Sequence, residues 1–591
     1  MILVELKQKN REEISENYKW NLNSLVASDD AWQQGMDKIG TQLKSFTERY
    51  KGNLKDLLAE CLTERAAMDE AFERLYVYAT MKHHEDTTKY QDFADMASRL
   101  HVELMTAESF IEPEILTLDE SKLQAVELEP FRHYLNDLLR QKEHVMSAEV
   151  EAILAQAQEV GQGASDIFDM LDNADIKFGT VTDEDGNQVE LTHSRYGALL
   201  SSPDRALRKT VWHTYYDSYM YLKNTLASTY AASVKKDVFF AKARNYPSAM
   251  EAALSSNNIP KTVYTGLIDT VHEFLPQMHR YMKLRKKALQ LSELQVYDLY
   301  TPMVKQVNDN VKYEDAVETV LKSLAPLGEA YQKASEAGLK GGWIDVYENA
   351  GKMSGAYSWG AYGGHPYILM NYENKTDDMF TLTHELGHAM HSYYSWGNQP
   401  YIYGDYTIFL AEVASTVNEA LLMEHLLKNT TDPAMTAYLT NTWLEQFRTT
   451  VFRQTLFAEF EMITHQMVEA GEPLTLEALN KVYRGLNEKY YGSELILDDK
   501  LDLEWARIPH FYRAFYVYQY ATGYSAAMAF AKRILAGGDG VEKYLAFLKS
   551  GSSEYSIDIL KKAGVDMSQP APIKEALEKF GDLIGEMERI L

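Results

Sequence analysis

Cysteine is almost absent. The 591 residues contain one, Cys61, so neither an intrachain disulfide nor a Cys₄ metal site can form. That excludes a disulfide-stapled secreted scaffold, and a chain of this length buries a large core without such staples. A metal held here is therefore read as catalytic rather than structural. Positive charge is also in deficit. Lys and Arg total 59 against 86 Asp and Glu, a formal charge of −27, which opposes a polyphosphate partner. Nucleic acid is not expected. Only 15 prolines are present, which leaves long helices mostly uninterrupted. There is no repeat, no low-complexity tract and no Pro-, Gly- or Ser-rich linker.

Long hydrophobic runs are missing too. Met1 to Val4 are apolar before Glu5 interrupts, well short of the roughly 7–15 residues of a secretory signal. Ala514 to Ala531 carries no formal charge, but it includes Gln519, Thr522, Gly523, Ser525 and four tyrosines. A spanning helix wants about 20 mostly apolar residues. The stretch reads as a buried helix in a water-soluble protein. No membrane partner is expected, and a cytoplasmic location is.

What is present is mostly helical patterning. In Asp92–Leu104, Phe93, Met96, Leu100 and Leu104 recur at helical spacing, and Ser147–Leu171 has the same character. Lys177–Thr182 and Gln188–Thr192 flank Asp185–Gly186, a hairpin turn signal. Ser202–Pro203–Asp204 then predicts a helix start with Ser202 as cap. A boundary near 195 follows, giving an N-terminal helical lobe, 1–195, and a second domain, 196–591. Helices are expected over Lys261–Leu289, with a kink at Pro276, and over Tyr313–Leu324. Gly341–Asp345 and His365–Tyr372 read as strands beside a glycine-containing stretch. The class is mostly α with a small sheet.

The sharpest feature is His384–Glu385–Leu386–Gly387–His388, an HExxH motif in helical text. Residues i and i+4 share a helix face. His384 and His388 can thus offer two imidazoles to one tetrahedral cation, while Glu385 reaches a water instead. Gly387 lets another element approach closely. A third ligand is needed. The HExxHxxGxxH pattern fails, because 391 is His and 394 is Tyr. The alternative is an acid on a later helix, Ile408–Leu427, which carries Glu412 and Glu419 in otherwise apolar text. Glu412 is favoured as ligand and Glu419 as the acceptor of a histidine N–H, although spacing alone does not choose between them. His391 is a weaker candidate, better read as a supporting or core histidine.

These residues resemble a known family. THELGHAMHSYYS (Thr383–Ser395), EVASTVNE (Glu412–Glu419), GGHPYILMNY (Gly363–Tyr372), IPHFYRAFYVYQYATG (Ile508–Gly523) and KWNL (Lys19–Leu22) are similar to the oligoendopeptidase F family of the thimet oligopeptidase superfamily. The resemblance covers nearly the whole chain, with no departure in the metal motif. It implies one zinc ion per chain on His384, His388 and Glu412, with Glu385 as general base. It implies an elongated, multi-helix, two-lobed fold with a small sheet beside a deep channel that admits short peptides. The oligomeric state is left open. Gly355, Tyr357 and His365 fall in the family's substrate-pairing region. His510 matches the residue that holds the tetrahedral intermediate, and Tyr516 and Tyr520 are favoured as its tyrosine partners, with Tyr512 next. If that segment is one helix, Tyr512, Tyr516 and Tyr520 share a face and Tyr518 does not.

The expected activity is zinc-dependent hydrolysis of internal bonds in short peptides. The alternatives are a zinc carboxypeptidase on a similar fold and a non-catalytic peptide binder with a zinc-stabilised cleft. Glu385 argues against the binder, which has no need of a general base. Of the 40 tyrosines, nine lie in Gly351–Tyr406 and eight in Lys481–Phe530, which suggests where a peptide would lie.

Overall fold

The computed structural model describes residues 8–305 and 310–591, so the Met1–Val4 run lies outside the described residues. The chain is mostly helical, as expected. Its strands are short: β1 Thr180–Thr182, β2 Gln188–Glu190, β3 Leu294–Gln295, β4 Ile344–Asp345, β5 Tyr357–Trp359, β6 Tyr367–Leu369 and β7 Leu495–Ile496. Among the described residues no helix is long and apolar enough to cross a membrane.

Two compact units are present, each assembled from three stretches: 8–142, 310–425 and 530–564 form one, and 143–305, 426–529 and 565–591 form the other. The boundary at 195 falls inside the second unit, within the helix His193–Leu200.

In the first unit, helices Asp29–Tyr50, Leu54–Glu85 and Gln91–Glu108 pack on one another. Ser28 caps the first by accepting the Ala31 N–H. Trp32 is buried and stacks on Phe93 at 4.3 Å. Burying such a side chain stabilises by about 1.5–3 kcal/mol. The same unit holds a three-stranded sheet in the order β4–β6–β5, with β4 parallel and β5 antiparallel to β6. Strand β5 lies in the stretch that the sequence marks by its glycines, inside the Gly355–Tyr372 region that the family resemblance reads as sheet, although its own residues carry no strand pattern. A buried cation fastens the loop before it. Lys352 Nζ pairs with Asp345 at 2.8 Å and donates to the carbonyls of Tyr347 and Met370 at 2.7 and 2.5 Å. A lone buried ammonium would be costly, and this one is fully partnered.

The second unit is organised by the 39-residue helix Arg205–Ala243, which packs on Ala148–Met170 and on Arg453–Glu469. Its cap is Asp204, whose Oδ1 accepts the N–H groups of Ala206 and Leu207 at 2.8 and 3.4 Å. Ser202, the expected cap, instead accepts the Asp204 N–H at 2.9 Å. Pro203 stands before the cap, so the helix starts two residues later than the Ser-Pro pair suggests. Lys261–Ala288 continues through Pro276 without ending there. The hairpin forms as read, with β1 paired to β2 and Gly186 at φ +84° in its turn. Much of the tyrosine excess serves packing here. Tyr215, Tyr216 and Tyr219 are fully buried, and Tyr219 donates to Asp172 at 2.7 Å.

One helix departs from its expected bounds in a way that matters below. The uncharged stretch is helical only from Tyr518, running to Ala536. Phe515 before it has φ +56°, a left-handed conformation that costs a side-chain-bearing residue roughly 1–2 kcal/mol.

Candidate metal centre

The HExxH motif lies on the helix Thr376–Trp396. Asp378 closes its first turn by accepting the Lys375 N–H at 2.9 Å. Two turns later His384 and His388 project from one face, with Nε2 atoms 3.2 Å apart. The next helix, Ile408–Asn429, brings Glu412 to them. Its Oε2 lies 3.3 Å from His384 Nε2 and 3.6 Å from His388 Nε2. The close approach depends on Gly387. A Cβ there would lie 2.4 Å from Ser415 Cα and 2.7 Å from the Ala414 carbonyl oxygen. Those are backbone atoms, so no side-chain rotation relieves the clash.

The triangle has a chemical meaning. Ligand bonds of about 2.0–2.1 Å around a tetrahedral zinc put ligand atoms about 3.3–3.4 Å apart. The observed edges of 3.2, 3.3 and 3.6 Å fit that figure. Among the described residues these three form the one grouping of His, Cys, Asp or Glu close enough to hold a metal. Glu419 lies elsewhere on the ring of His384, with Oε1 2.6 Å from Nδ1. That bond places the proton on Nδ1 and turns the Nε2 lone pair toward the triangle.

Electrostatics follow from the crowding. Burial opposes ionisation of Glu412, but its contacts with His384, His388 and Ser415 outweigh it and bring the carboxyl down to about 2. Burial lifts the Glu385 carboxyl to about 7; His384 opposes the rise, Glu412 and Glu419 add to it, and a hydrogen bond from the Ser358 backbone resists it. Burial pushes His388 down, reinforced by its neighbour His384.

Ser358 connects the motif to the sheet. Ile368 and Met370 donate their N–H groups to Trp343 and Asp345, on the β4 side. By alternation Tyr367 and Leu369 serve β5, and the Ser358 N–H and C=O point out from the edge strand. Tyr357 and His365 are less free as side chains. The Tyr357 hydroxyl meets His84 Nδ1 at 2.7 Å, while His365 stacks on Trp343 and meets Ser24 at 2.9 Å. Gly355, at φ +88°, has its carbonyl held by Asn371 at 2.8 Å. His391 is a core histidine, fully buried and stacked on Tyr406 at 3.6 Å. The Tyr406 hydroxyl reaches the His388 carbonyl at 3.3 Å, a support that nothing in the local spacing signals.

In the second unit the structure groups His510, Tyr516 and Tyr520. His510 sits on the tight turn Pro509–Tyr512. Its Nε2 is 3.3 Å from the Tyr520 hydroxyl, and its ring stacks on Tyr516 at 6.1 Å. Burial, aided by Arg513, lowers its pKa and favours the neutral ring. Tyr512 is not in this group. It stacks on Phe168 at 4.3 Å, and its hydroxyl lies 2.9 Å from that of Thr229. The shared helical face does not exist, because the helix begins only at Tyr518.

Comparison with known proteins places the chain in a family. The model of peptidase family M3 matches residues 198–579, and that of oligopeptidase F matches 114–178. The chain belongs to peptidase family M3. Within that family, oligopeptidase PepF of Bacillus subtilis is 47% identical, over 98% of this chain and 88% of the relative. An oligoendopeptidase F homolog of Lactococcus lactis is 40% identical over 99% of both chains. The crystal structure of oligoendopeptidase-F from Enterococcus faecium aligns with a TM-score of 0.73 at 40% identity, covering 95% of this chain and 99% of that one. A crystal structure from Chlamydophila abortus aligns at 0.93 with 37% identity, covering 99% of this chain and all of that one. The M3 assignment makes the chain a metallopeptidase, and peptides its substrates.

Proposed function

We propose that this chain is a zinc-dependent oligoendopeptidase that cuts internal bonds of short, unfolded peptides, with one zinc held by His384, His388 and Glu412. The observation that carries the reading is the triangle of donors with tetrahedral edges, joined to an unliganded, buried Glu385 one residue along the helix. Zinc bound there supplies Lewis acidity and lowers the pKa of a water. Glu385 accepts the proton of the attacking water and returns it to the leaving amine. Its carboxyl, raised by burial, suits both transfers at neutral pH.

The edge of β5 supports backbone pairing with an extended peptide: the Ser358 N–H is turned to Glu385, and its C=O is the outward group left to meet a substrate N–H. Gly355, Tyr357 and His365 then shape the sheet that the peptide meets, whereas the Tyr512 ring and hydroxyl are taken up by Phe168 and Thr229. The sequence resemblance assigns His510, Tyr516 and Tyr520 to the developing oxyanion. Their clustering supports that assignment, since a neutral imidazole N–H and two phenols are the donors such a charge needs. The single cysteine supports a reducing, cytoplasmic setting.

The test is Glu385→Gln. Metal analysis should still find one zinc per chain, while kcat falls by about 10³-fold. Turnover at the wild-type rate would refute the mechanism. Glu412→Ala should lower zinc content, and unchanged stoichiometry would move the third ligand to Glu419. A peptide blocked at both ends should be cut internally. Release of single residues from an unblocked C-terminus alone would instead indicate a carboxypeptidase.

A further inference from the structure

The bend between the His510 turn and the helix Tyr518–Ala536 is hydrogen-bonded to a residue outside the motif. Phe515, left-handed at φ +56°, donates its backbone N–H to Glu461 Oε1 at 3.0 Å. Glu461 comes from the helix Arg453–Glu469 and is 0% exposed. Its other oxygen, Oε2, meets no hydrogen-bond partner among the described residues. Among the described residues the backbone of the bend is thus the one hydrogen-bond partner of a fully buried carboxyl. Buried acids are rare unless a partner holds them.

Around Glu461 the other polar groups are already engaged. His465 Nδ1 and the Thr464 hydroxyl reach the Glu461 main-chain carbonyl at 2.8 and 3.0 Å. His465 Nε2 lies 3.4 Å from Asp237. Tyr230 pairs with Thr464 at 2.8 Å. The Phe515 ring packs on His465 at 4.6 Å and Tyr264 at 5.6 Å, which is the competing explanation for how the bend is kept.

We propose that Glu461 is a positioning residue: by accepting the Phe515 N–H it fixes the 513–517 bend, and through it the mutual placement of His510, Tyr516 and Tyr520. The inference rests on the reading of those three as oxyanion donors. Burial, with Asp237 nearby, favours the neutral carboxylic acid, so a glutamine carbonyl can do the same work, whereas a methionine fills the space and offers no acceptor.

The variants Glu461→Met and Glu461→Gln, each loaded with zinc, test this. E461M should lower kcat about tenfold or more with KM within about threefold and zinc at one per chain, and E461Q should stay within about threefold of wild type. In a His510→Ala background, E461M should cost less than about threefold further, because the bend then has less to position. Wild-type kcat in E461M would show that ring packing holds the bend and would overturn the proposal, as would full additivity with H510A. Should H510A itself turn over at the wild-type rate, the oxyanion reading fails first and takes the proposed role with it. If E461M does not fold, Glu461→Asp withdraws the acceptor by one methylene. Its kcat should also fall, and wild-type kcat there overturns the proposal equally.

Discussion

The His384–His388–Glu412 group and the His510–Tyr516–Tyr520 group are built by opposite means. The first gathers electron-pair donors on two packed helices. Its spacing is fixed by helix geometry and by one backbone-to-backbone contact at Gly387. The second gathers hydrogen-bond donors on a tight turn, a left-handed bend and the start of a helix. Its spacing is fixed by a distant carboxyl, Glu461. Groups that hold a cation need rigidity within a few tenths of an ångström, and helices supply it locally. Groups that meet a transient charge can be placed by tertiary contacts instead.

Gly387→Ala attacks the first group where it is most constrained. The new Cβ meets Ser415 Cα at 2.4 Å, so the two helices must separate. Overpacking of this kind costs about 1–3 kcal/mol. The larger effect should be on function: metal analysis should find well under one zinc per chain, and activity should drop by about 100-fold or more, since loss of ligand geometry removes the charge-stabilising centre. A G387A protein with full zinc and full turnover would break the comparison, because helix approach would then not set the ligand geometry.

Glu419→Ala probes the same group more gently. It removes the partner of His384 Nδ1 at 2.6 Å but no proposed ligand. Such supports are worth about 10–100-fold in metal affinity. Competition with a chelator should show that weakening, and an unchanged affinity would remove Glu419 from the site.

The contrast also explains what could be read from the sequence. His384, Glu385, His388 and the helix bearing Glu412 and Glu419 are legible because i, i+4 periodicity is a local property. Gly387 is legible for the same reason: a missing side chain in a helix facing another helix has few uses. Strand β5 was not, since three residues, Tyr357–Trp359, carry no alternation to detect among glycines. The cap at Asp204 was misplaced because Ser202 and Asp204 are both good caps and only the chain path after Pro203 chooses. Tyr512 was grouped with Tyr516 and Tyr520 by assuming a continuous helix. The left-handed Phe515 interrupts it, and no residue type announces that, because the bend is held by Glu461 more than fifty positions earlier.

Tyr520→Phe sharpens the second group. It removes the hydroxyl 3.3 Å from His510 Nε2 and leaves the edge-on contact with the Tyr516 ring in place. Loss of one donor to an oxyanion should lower kcat about tenfold or more with zinc content unchanged. A pure KM effect would assign Tyr520 to ground-state binding instead.

The smallest effect tests what kind of acceptor holds the bend. Burial raises the Glu461 pKa in the folded chain well above its ordinary value, while in the unfolded chain it returns to about 4.3. Above that pH the folded state keeps a proton that the unfolded state has lost. Stability is then fully present below about pH 4.3 and declines as pH rises, by up to about 1.4 kcal/mol per pH unit from this group. Glutamine does not titrate. The stability of E461Q minus that of wild type, read from urea unfolding, should therefore grow between pH 5 and pH 7. Asp237 and His465 are present in both proteins, so whatever they contribute largely cancels in the difference. A flat difference would mean that Glu461 is ionised in the folded chain. The bend would then rest on a charge rather than on a neutral carbonyl, and Gln could no longer stand in for it.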